Sequence, residues 1–269
     1  MTLAQIIVLA ILQGVAEVFP ISPGGPTVLV ESALEWTQVP PMFAFSVQIG
    51  ALLGIMAYFW RDLWEMATGI TRALKGKRDV GAVLAGQIVV ATTPTLVLGF
   101  LLLRYAEIDT QSLAVIGWTI IAGAALLVAF DYLSMTVKRV EHATFWDTTL
   151  IGVMQIAVFI PGVGRTALAM TMARFLGYER AAAARLSMLL SIPVLIVLSA
   201  RSAFELGSAQ ITQVANTDIF GGVIGFVAGL FAVAVLMAWL RRSSFMPFVV
   251  YRLVVGGVIL AMAYGGLPA

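Results

Sequence analysis

The chain is a series of long apolar runs separated by short polar segments, with no long polar block between them. Six runs approach or exceed the roughly 20 residues that an α-helix needs to cross a bilayer. They cover residues 41–60, 84–104, 113–134, 186–203, 218–240 and 247–266. We therefore predict an all-α polytopic membrane protein with six spans in a single membrane domain, 1–269.

Two further apolar stretches, 3–35 and 147–177, are interrupted near their middles. The interruptions are residues 20–26, PISPGGP, and residues 161–165, PGVGR. Proline removes a backbone donor and glycine loosens a helix, so a continuous spanning helix is not expected at either place. Broken backbone at membrane depth needs protein or a water-filled cavity around it. The pattern predicts two re-entrant helix hairpins.

The lysine and arginine positions favour this topology. If each hairpin returns to its starting face, twelve basic residues fall on one face, and Arg104 and Arg201 fall on the other. Basic residues concentrate on the cytoplasmic side, so the first face, with the loop 61–83, is predicted to be cytoplasmic. Both termini and the loop 104–112 are predicted to be periplasmic or extracellular. Only Arg165 and Arg252 remain inside apolar runs.

The same arrangement implies an internal repeat. Each half has one hairpin and three spans, and because three is odd the second half enters the membrane from the opposite side. QGVAEVFP at 13–20 and QIAVFIP at 155–161 each lead into a break. We predict an inverted repeat of 1–134 and 145–269, with the broken helices meeting near the midplane, where helix N-termini suit anionic groups.

Composition narrows the chemistry. Of 269 residues 61% are hydrophobic and 11% charged, which is typical of a membrane protein. There is no cysteine and one histidine, His142, so neither a disulfide framework nor a usual metal site is predicted. The first 20 residues lack a basic segment of the kind that opens a cleavable signal, and we expect them to belong to the mature protein.

Polar residues near the breaks are the candidate site. Glu17 lies one helical turn after Gln13, and an ionisable group at membrane depth costs about 2.5–3.5 kcal/mol unless it is paired or hydrated. Glu17 therefore has a partner or a function, unless it lies near the outer surface and is simply solvated. Ser22 supplies a hydroxyl beside Gly24 and Gly25, although hydroxyls also cap helices.

The second break offers a phosphate site. Arg165 stands beside Gly162 and Gly164, where a guanidinium and free backbone N–H groups could hold phosphate oxygens. Thr166 adds a hydroxyl, for which helix capping is an equally good explanation. The alternatives for Arg165 are a side chain that reaches toward the membrane surface and a purely structural ion pair with Glu17.

Four segments together resemble the undecaprenyl-pyrophosphate phosphatase family, collinearly over nearly the whole chain. They are LQGVAEVFPIS at 12–22, PGVGRT at 161–166, ARLSMLLSIP at 184–193 and SFMPFVVYR at 244–252. The resemblance implies a bacterial inner-membrane enzyme that removes the terminal phosphate from a polyprenyl carrier lipid, with inverted repeats and two re-entrant hairpins. It also implies a part in returning that lipid across the membrane.

The two signatures depart from the family pattern. PVSSTGH is here PISPGGP, and PGxSRSxxT is here PGVGRTALA. The lost side chains are mainly candidates for nucleophile and proton transfer, whereas the candidate phosphate-binding arginine is kept. The matching residues are Gln13, Glu17, Ser22, Arg165 and Thr166.

Two functions follow. The first is binding, and perhaps translocation, of a polyprenyl phosphate or pyrophosphate with weak or lost hydrolysis, using Arg165 and backbone donors of the hairpins. The second is an active phosphatase, with Ser22 or a water as nucleophile, Glu17 as base and Arg165 on the phosphate. A divalent cation, Mg²⁺ or Ca²⁺, is expected only with the second. The expected partners are the lipid, the bilayer and, left open, a second copy of the chain; nucleic acid is not among them.

Overall fold

The computed structural model describes residues 1–22, 24–34, 36, 39–105, 112–134, 136–211 and 214–265. At residues 28, 32, 33, 102–105, 159 and 208–211 it describes the backbone alone. Pro23, the side chain of Arg104 and most of the predicted outer loop 104–112 therefore lie outside the description.

The described chain consists of eleven α-helices and two short 3₁₀ helices, with no β-strand. The α-helices are α1 Leu3–Ala16, α2 Gly24–Ala33, α3 Pro41–Tyr58, α4 Trp60–Ala73, α5 Val80–Tyr105, α6 Leu113–Leu133, α7 Phe145–Met154, α8 Arg165–Phe175, α9 Arg180–Ile211, α10 Asn216–Leu240 and α11 Met246–Ala263. The 3₁₀ helices are Val140–His142 and Gln155–Phe159.

Six of the described helices are long and apolar enough to cross a bilayer: α3, α5, α6, α9, α10 and α11. They coincide with the six predicted spans, so the prediction of an all-α multi-pass membrane protein is confirmed. The largest difference is at α9, which begins at Arg180 and not near 186 and extends to Ile211, beyond the predicted end at 203, with a non-helical Gly207 inside. Its early arginines pair with carboxylates of neighbouring helices, Arg180 with Asp131 and Arg185 with Asp62, and this pairing lets charged residues join the helix.

Helix α4 was not predicted, because residues 61–83 were interpreted as a cytoplasmic loop. Trp60 and Trp64 are exposed, whereas Met66 and Gly69 are buried against the rest of the chain. Apolar residues on one face and charged residues on the other are typical of a helix that lies at a membrane surface. The segment is too short and too polar to be recognised from apolar run length.

Both predicted helix interruptions are present. Helix α1 ends at Ala16 and α2 begins at Gly24, while α7 continues as a 3₁₀ turn to Phe159 before α8 begins at Arg165. The first break starts earlier than predicted, at Glu17. That each broken pair returns to its starting face stays a prediction.

The helix packing has a reciprocal pattern. Helix α1 packs on α10 and α7 packs on α5; α3 also packs on α10, and α5 on α9. Helix α6 packs on α11, and α3 packs on α9. In the predicted repeat, α1, α3, α5 and α6 of residues 1–134 correspond in order to α7, α9, α10 and α11 of residues 145–269. Replacing each helix by its counterpart turns each of these contacts into a contact of the same set. The reciprocal contacts support the inverted repeat, which remains a prediction.

Candidate functional site

The two broken helices meet through an ion pair. Glu17 follows the last residue of α1, and Arg165 is the first residue of α8. The Arg165 Nη2 atom lies 2.9 Å from Glu17 Oε2, and the two side chains are only 7% and 17% exposed. The guanidinium is therefore largely buried and faces Glu17. This contact joins residues 148 positions apart at the point where both helices end.

Two backbone contacts hold the breaks together beside this pair. The Thr166 hydroxyl donates a 2.7 Å hydrogen bond to the carbonyl oxygen of Phe19. Gly164 has a φ of +79°, and a Cβ there would lie 2.8 Å from the carbonyl oxygen of Ile21. Both the positive φ and the close approach favour glycine. Thr166 thus ties the second break to the first, and no side chain caps α8.

Arg252 on α11 is a further component of the site. Its side chain is fully buried, and it donates to carbonyl oxygens of both breaks, Pro20 at 3.4 Å and Val163 at 3.0 Å. A third bond goes from its Nε to the Ile120 carbonyl oxygen on α6. Sequence reasoning noticed that Arg252 lies inside an apolar run but assigned it no role. The sequence did contain a signal for this role, because an arginine buried in a membrane span needs partners.

The site has unused hydrogen-bonding capacity. The recorded bonds of Arg165 all use Nη2, while its Nε is buried with no partner among the described residues. The Oε1 atom of Gln13 is also buried and unpartnered there. Burying a donor without an acceptor costs about 1–3 kcal/mol. A ligand oxygen or a water beside Arg165 would recover that energy.

A cavity of about 600 Å³ opens beside the ion pair and receives residues from both breaks. Seven of the nine predicted site residues line it: Glu17, Ser22, Gly24, Gly162, Gly164, Arg165 and Thr166.

Two predicted substrate-binding residues do not line this cavity. Gly25 is buried toward α6 and α11, where a Cβ would lie 3.2 Å from both Ile120 Cδ1 and Val255 Cγ1. Gln13 lies one turn below Glu17 in α1. Substrate binding by Gly25 and Gln13 stays a prediction.

The remaining polar wall comes from α3 and α9, which sequence reasoning did not connect to the site. Gln48 on α3 lines the cavity together with Arg201, Ser202 and Glu205 on α9. The Arg201 Nε atom lies 2.6 Å from Glu205 Oε1. Gln48 lies 22 positions after the first break and Arg201 lies 36 positions after Arg165, so only the tertiary fold shows that they share this cavity.

Across the part of the chain that the structure describes, no group of three or more histidine, aspartate or glutamate side chains could hold a metal ion. The described carboxylates of the cavity are Glu17 and Glu205. A divalent cation therefore stays a prediction tied to phosphatase activity. The side chains that line the cavity include two carboxylates, three hydroxyls and two guanidinium groups, and the guanidinium and hydroxyl groups are suited to an anionic oxygen-rich ligand.

Comparison with known proteins agrees with the family resemblance. Residues 6–258 match the family described as BacA, bacitracin resistance protein BacA. The undecaprenyl-diphosphatase 1 of Rhodospirillum rubrum is 43% identical to the chain, with 99% of this chain and 97% of the relative aligned. The undecaprenyl-diphosphatase of Roseobacter denitrificans is 36% identical, covering 98% of this chain and 100% of the relative. Undecaprenyl-diphosphatase 1 of Paramagnetospirillum magneticum is 34% identical, with 99% of each chain aligned.

Proposed function

Because the chain belongs to the BacA bacitracin resistance protein family and its relatives are named undecaprenyl-diphosphatases, we propose that it hydrolyses undecaprenyl diphosphate or a closely related polyprenyl diphosphate. The products are the lipid monophosphate and inorganic phosphate. A substrate with a long apolar tail suits a chain with six helices able to cross a bilayer.

One observation carries the proposal: Glu17, Ser22 and Arg165 from the two breaks line the same cavity. Ser22 is only 4% exposed, and the Glu17–Arg165 pair is largely buried. In a site shielded from bulk water, a guanidinium stabilises the developing charge of a phosphoryl transfer more strongly than it would in water. The three groups supply a base, a nucleophile and an electrostatic stabiliser.

The proposed step is an in-line displacement at the terminal phosphorus. The oxygen of a water, or of the Ser22 hydroxyl, forms the new bond to phosphorus while the bond to the bridging oxygen breaks, and the lipid monophosphate leaves with the electron pair. Glu17 accepts the proton of the attacking oxygen, and Arg165 binds the oxygens of the transferred group. With Ser22 as nucleophile, a water then releases phosphate from the serine.

The ion pair couples binding to chemistry. Arg165 holds Glu17 at 2.9 Å in the described structure, so Glu17 is engaged before substrate arrives. A phosphate that takes over the Arg165 donors releases the Glu17 carboxylate to accept a proton. When Arg165 exchanges the Glu17 carboxylate for a phosphate of the substrate, it positions the substrate and at the same time leaves Glu17 free to act as the base.

Weak or lost hydrolysis was the first function inferred from the sequence, and the comparisons favour the second. That inference rested on altered residues in the two signatures, among them Gly24, Pro26 and Gly164. Pro26 lies in the first turn of α2, where a missing backbone N–H is tolerated. Pro26 is therefore compatible with helix α2. Glu17, Ser22 and Arg165 still line one cavity.

Orientation and assembly extend the proposal. We place the cavity mouth on the periplasmic or extracellular side, because Arg201 lines it and belongs to the face with few basic residues. Both termini are then on that side as well. Translocation of the lipid and a homodimer remain predictions from the sequence.

Phosphate release from undecaprenyl diphosphate by the purified full chain in detergent tests the proposal. We expect release by the wild type, a loss of at least about hundredfold in Glu17→Gln, and little change in the control Glu179→Gln, an exposed carboxylate that pairs with Arg139. Ser22→Ala separates the two nucleophiles: near-complete loss indicates serine attack, and substantial retained activity indicates water. A wild type that binds the lipid but releases no phosphate would overturn hydrolysis and restore the binding function.

A further inference from the structure

We propose that Arg201 is a second phosphate-binding residue of the cavity and that it makes the site prefer a lipid diphosphate to a lipid monophosphate. Glu205 holds it when no substrate is present. The inference rests on the proposed function, because it assigns the second phosphate group of the same substrate.

Arg201 and Glu205 form the second ion pair of the cavity. They stand one turn apart on α9, and Arg201 Nε lies 2.6 Å from Glu205 Oε1. Both line the cavity that contains Glu17 and Arg165. Among the described residues that line it, Arg165 and Arg201 are the cations. A diphosphate that occupies Arg165 with one phosphate therefore finds one further guanidinium in the same cavity.

The two pairs differ in how easily a ligand can open them. Arg165 and Glu17 are 7% and 17% exposed, whereas Arg201 and Glu205 are 46% and 61% exposed. An exposed ion pair contributes about 0–1 kcal/mol, so separating Arg201 from Glu205 costs little. A guanidinium bound to phosphate through two parallel hydrogen bonds is a stronger arrangement. The exchange from Glu205 to phosphate is thus favourable.

Glu205 has room to move when Arg201 leaves it. A second cavity of about 470 Å³ between α3 and α9 shares Gln48, Ser202 and Glu205 with the first. The carboxylate stands where the two cavities adjoin and can turn away from an incoming phosphate. Until it does so its negative charge opposes phosphate binding, and the ligand must displace it from Arg201.

Steady-state kinetics on the full chain in detergent test the assignment. We measure the KM and kcat for undecaprenyl diphosphate and the inhibition constant of undecaprenyl monophosphate. In Arg201→Gln the KM should rise by about tenfold or more with kcat changed less than about threefold, and the inhibition constant should rise much less than the KM. Arg201→Lys should restore part of the KM. Glu205→Gln should lower the KM, because Arg201 then has no competing carboxylate.

Arg241→Gln is the matched control, because Arg241 is an exposed arginine that lines a different cavity, beside Asp131 and Arg174. Its KM should equal that of the wild type. An unchanged KM in Arg201→Gln, or equal effects on the diphosphate and the monophosphate, would overturn the assignment while leaving hydrolysis intact. If the wild type releases no phosphate, the proposal of hydrolysis is wrong. Equilibrium binding then tests Arg201, because Arg201→Gln should weaken binding of the lipid diphosphate more than binding of the lipid monophosphate.

Discussion

Helix α8 carries two buried arginines, one in its first turn and one in its last, and they are bound very differently. Arg165 is 7% exposed and Arg174 is 2% exposed, and each pairs with a carboxylate at 2.9 Å. Burial and charge pairing therefore do not distinguish them. The difference lies in how many of their donors the protein uses.

Arg174 donates hydrogen bonds from both of its Nη atoms, while its Nε lies at ion-pair distance from Asp131 without a hydrogen bond among the described residues. Its Nε lies 2.9 Å from the Asp131 carboxylate, its Nη2 donates to the Asp131 carbonyl oxygen, and its Nη1 donates to Thr136 and to the Tyr178 carbonyl oxygen. Arg180 shares the same carboxylate. Arg165, by contrast, bonds only through Nη2 to the residues that the structure describes. An arginine whose two Nη atoms both bind the protein fixes structure, whereas one that keeps an Nη atom free beside a cavity can bind a ligand.

The largest expected effect is on stability in Arg174→Ala. Removing one partner of a buried ion pair typically costs about 3–5 kcal/mol, and here the carbonyl oxygens of Asp131 and Tyr178 also lose their donor. We expect a large fall in the melting temperature in detergent, with Arg241→Ala, an exposed neighbour, close to the wild type. A stable Arg174→Ala protein that no longer releases phosphate would reverse the roles that we give the two arginines.

Arg165→Ala should act on the ligand more than on the fold. Loss of a charge-assisted hydrogen bond costs about 1.5–3 kcal/mol, so affinity for undecaprenyl diphosphate should fall about ten- to hundredfold, with little change for the uncharged alcohol. Lysine should restore part of it, because it keeps the charge but not the planar fork. Equal loss for both lipids, with stability recovered by adding Glu17→Gln, would show that the pair is structural.

The smallest expected effect is a pH dependence at the Arg174 end of α8. Asp147 accepts hydrogen bonds from Tyr178 and Lys138. Burial alone would raise the pKa of Asp147, but these bonds outweigh it and hold the pKa below its usual value. The stability it contributes is present above the unfolded-state pKa of about 3.9 and is lost as the pH falls through the folded-state pKa. The melting-temperature gap between the wild type and Asp147→Asn should narrow from pH 6 to pH 3; a constant gap would contradict this.

The spans and the breaks could be predicted because they depend on local composition. An apolar run long enough to cross the bilayer appears in the sequence itself, and so do the proline and glycine residues that lie between α1 and α2 and before α8. Arg165 and Glu17 were recognised as candidates because charged residues are costly inside apolar runs.

The residues that were missed depend on tertiary packing. Arg201 and Glu205 lie near the end of α9, and nothing in their neighbours in sequence indicates that this turn borders the breaks. Arg252 was noticed, but its partners are backbone carbonyl oxygens, which every residue has and which leave no mark in the sequence. An arginine expected to form a salt bridge directs attention to the carboxylates in the sequence, whereas an arginine that binds backbone carbonyl oxygens points to no particular residue type.

The Arg252 contacts have a consequence for how the protein tolerates change. Because Arg252 binds the two breaks through the carbonyl oxygens of Pro20 and Val163, the side chains of the loops take no part in that attachment. Except at Gly162 and Gly164, where a positive φ and close contacts require glycine, the loops can therefore exchange side chains while their backbones stay fixed to α11. Arg252 holds the backbones of the two breaks in place, whereas the proposed chemistry depends on side chains. Side chains of the two signatures can therefore differ while the backbone framework of the site stays the same.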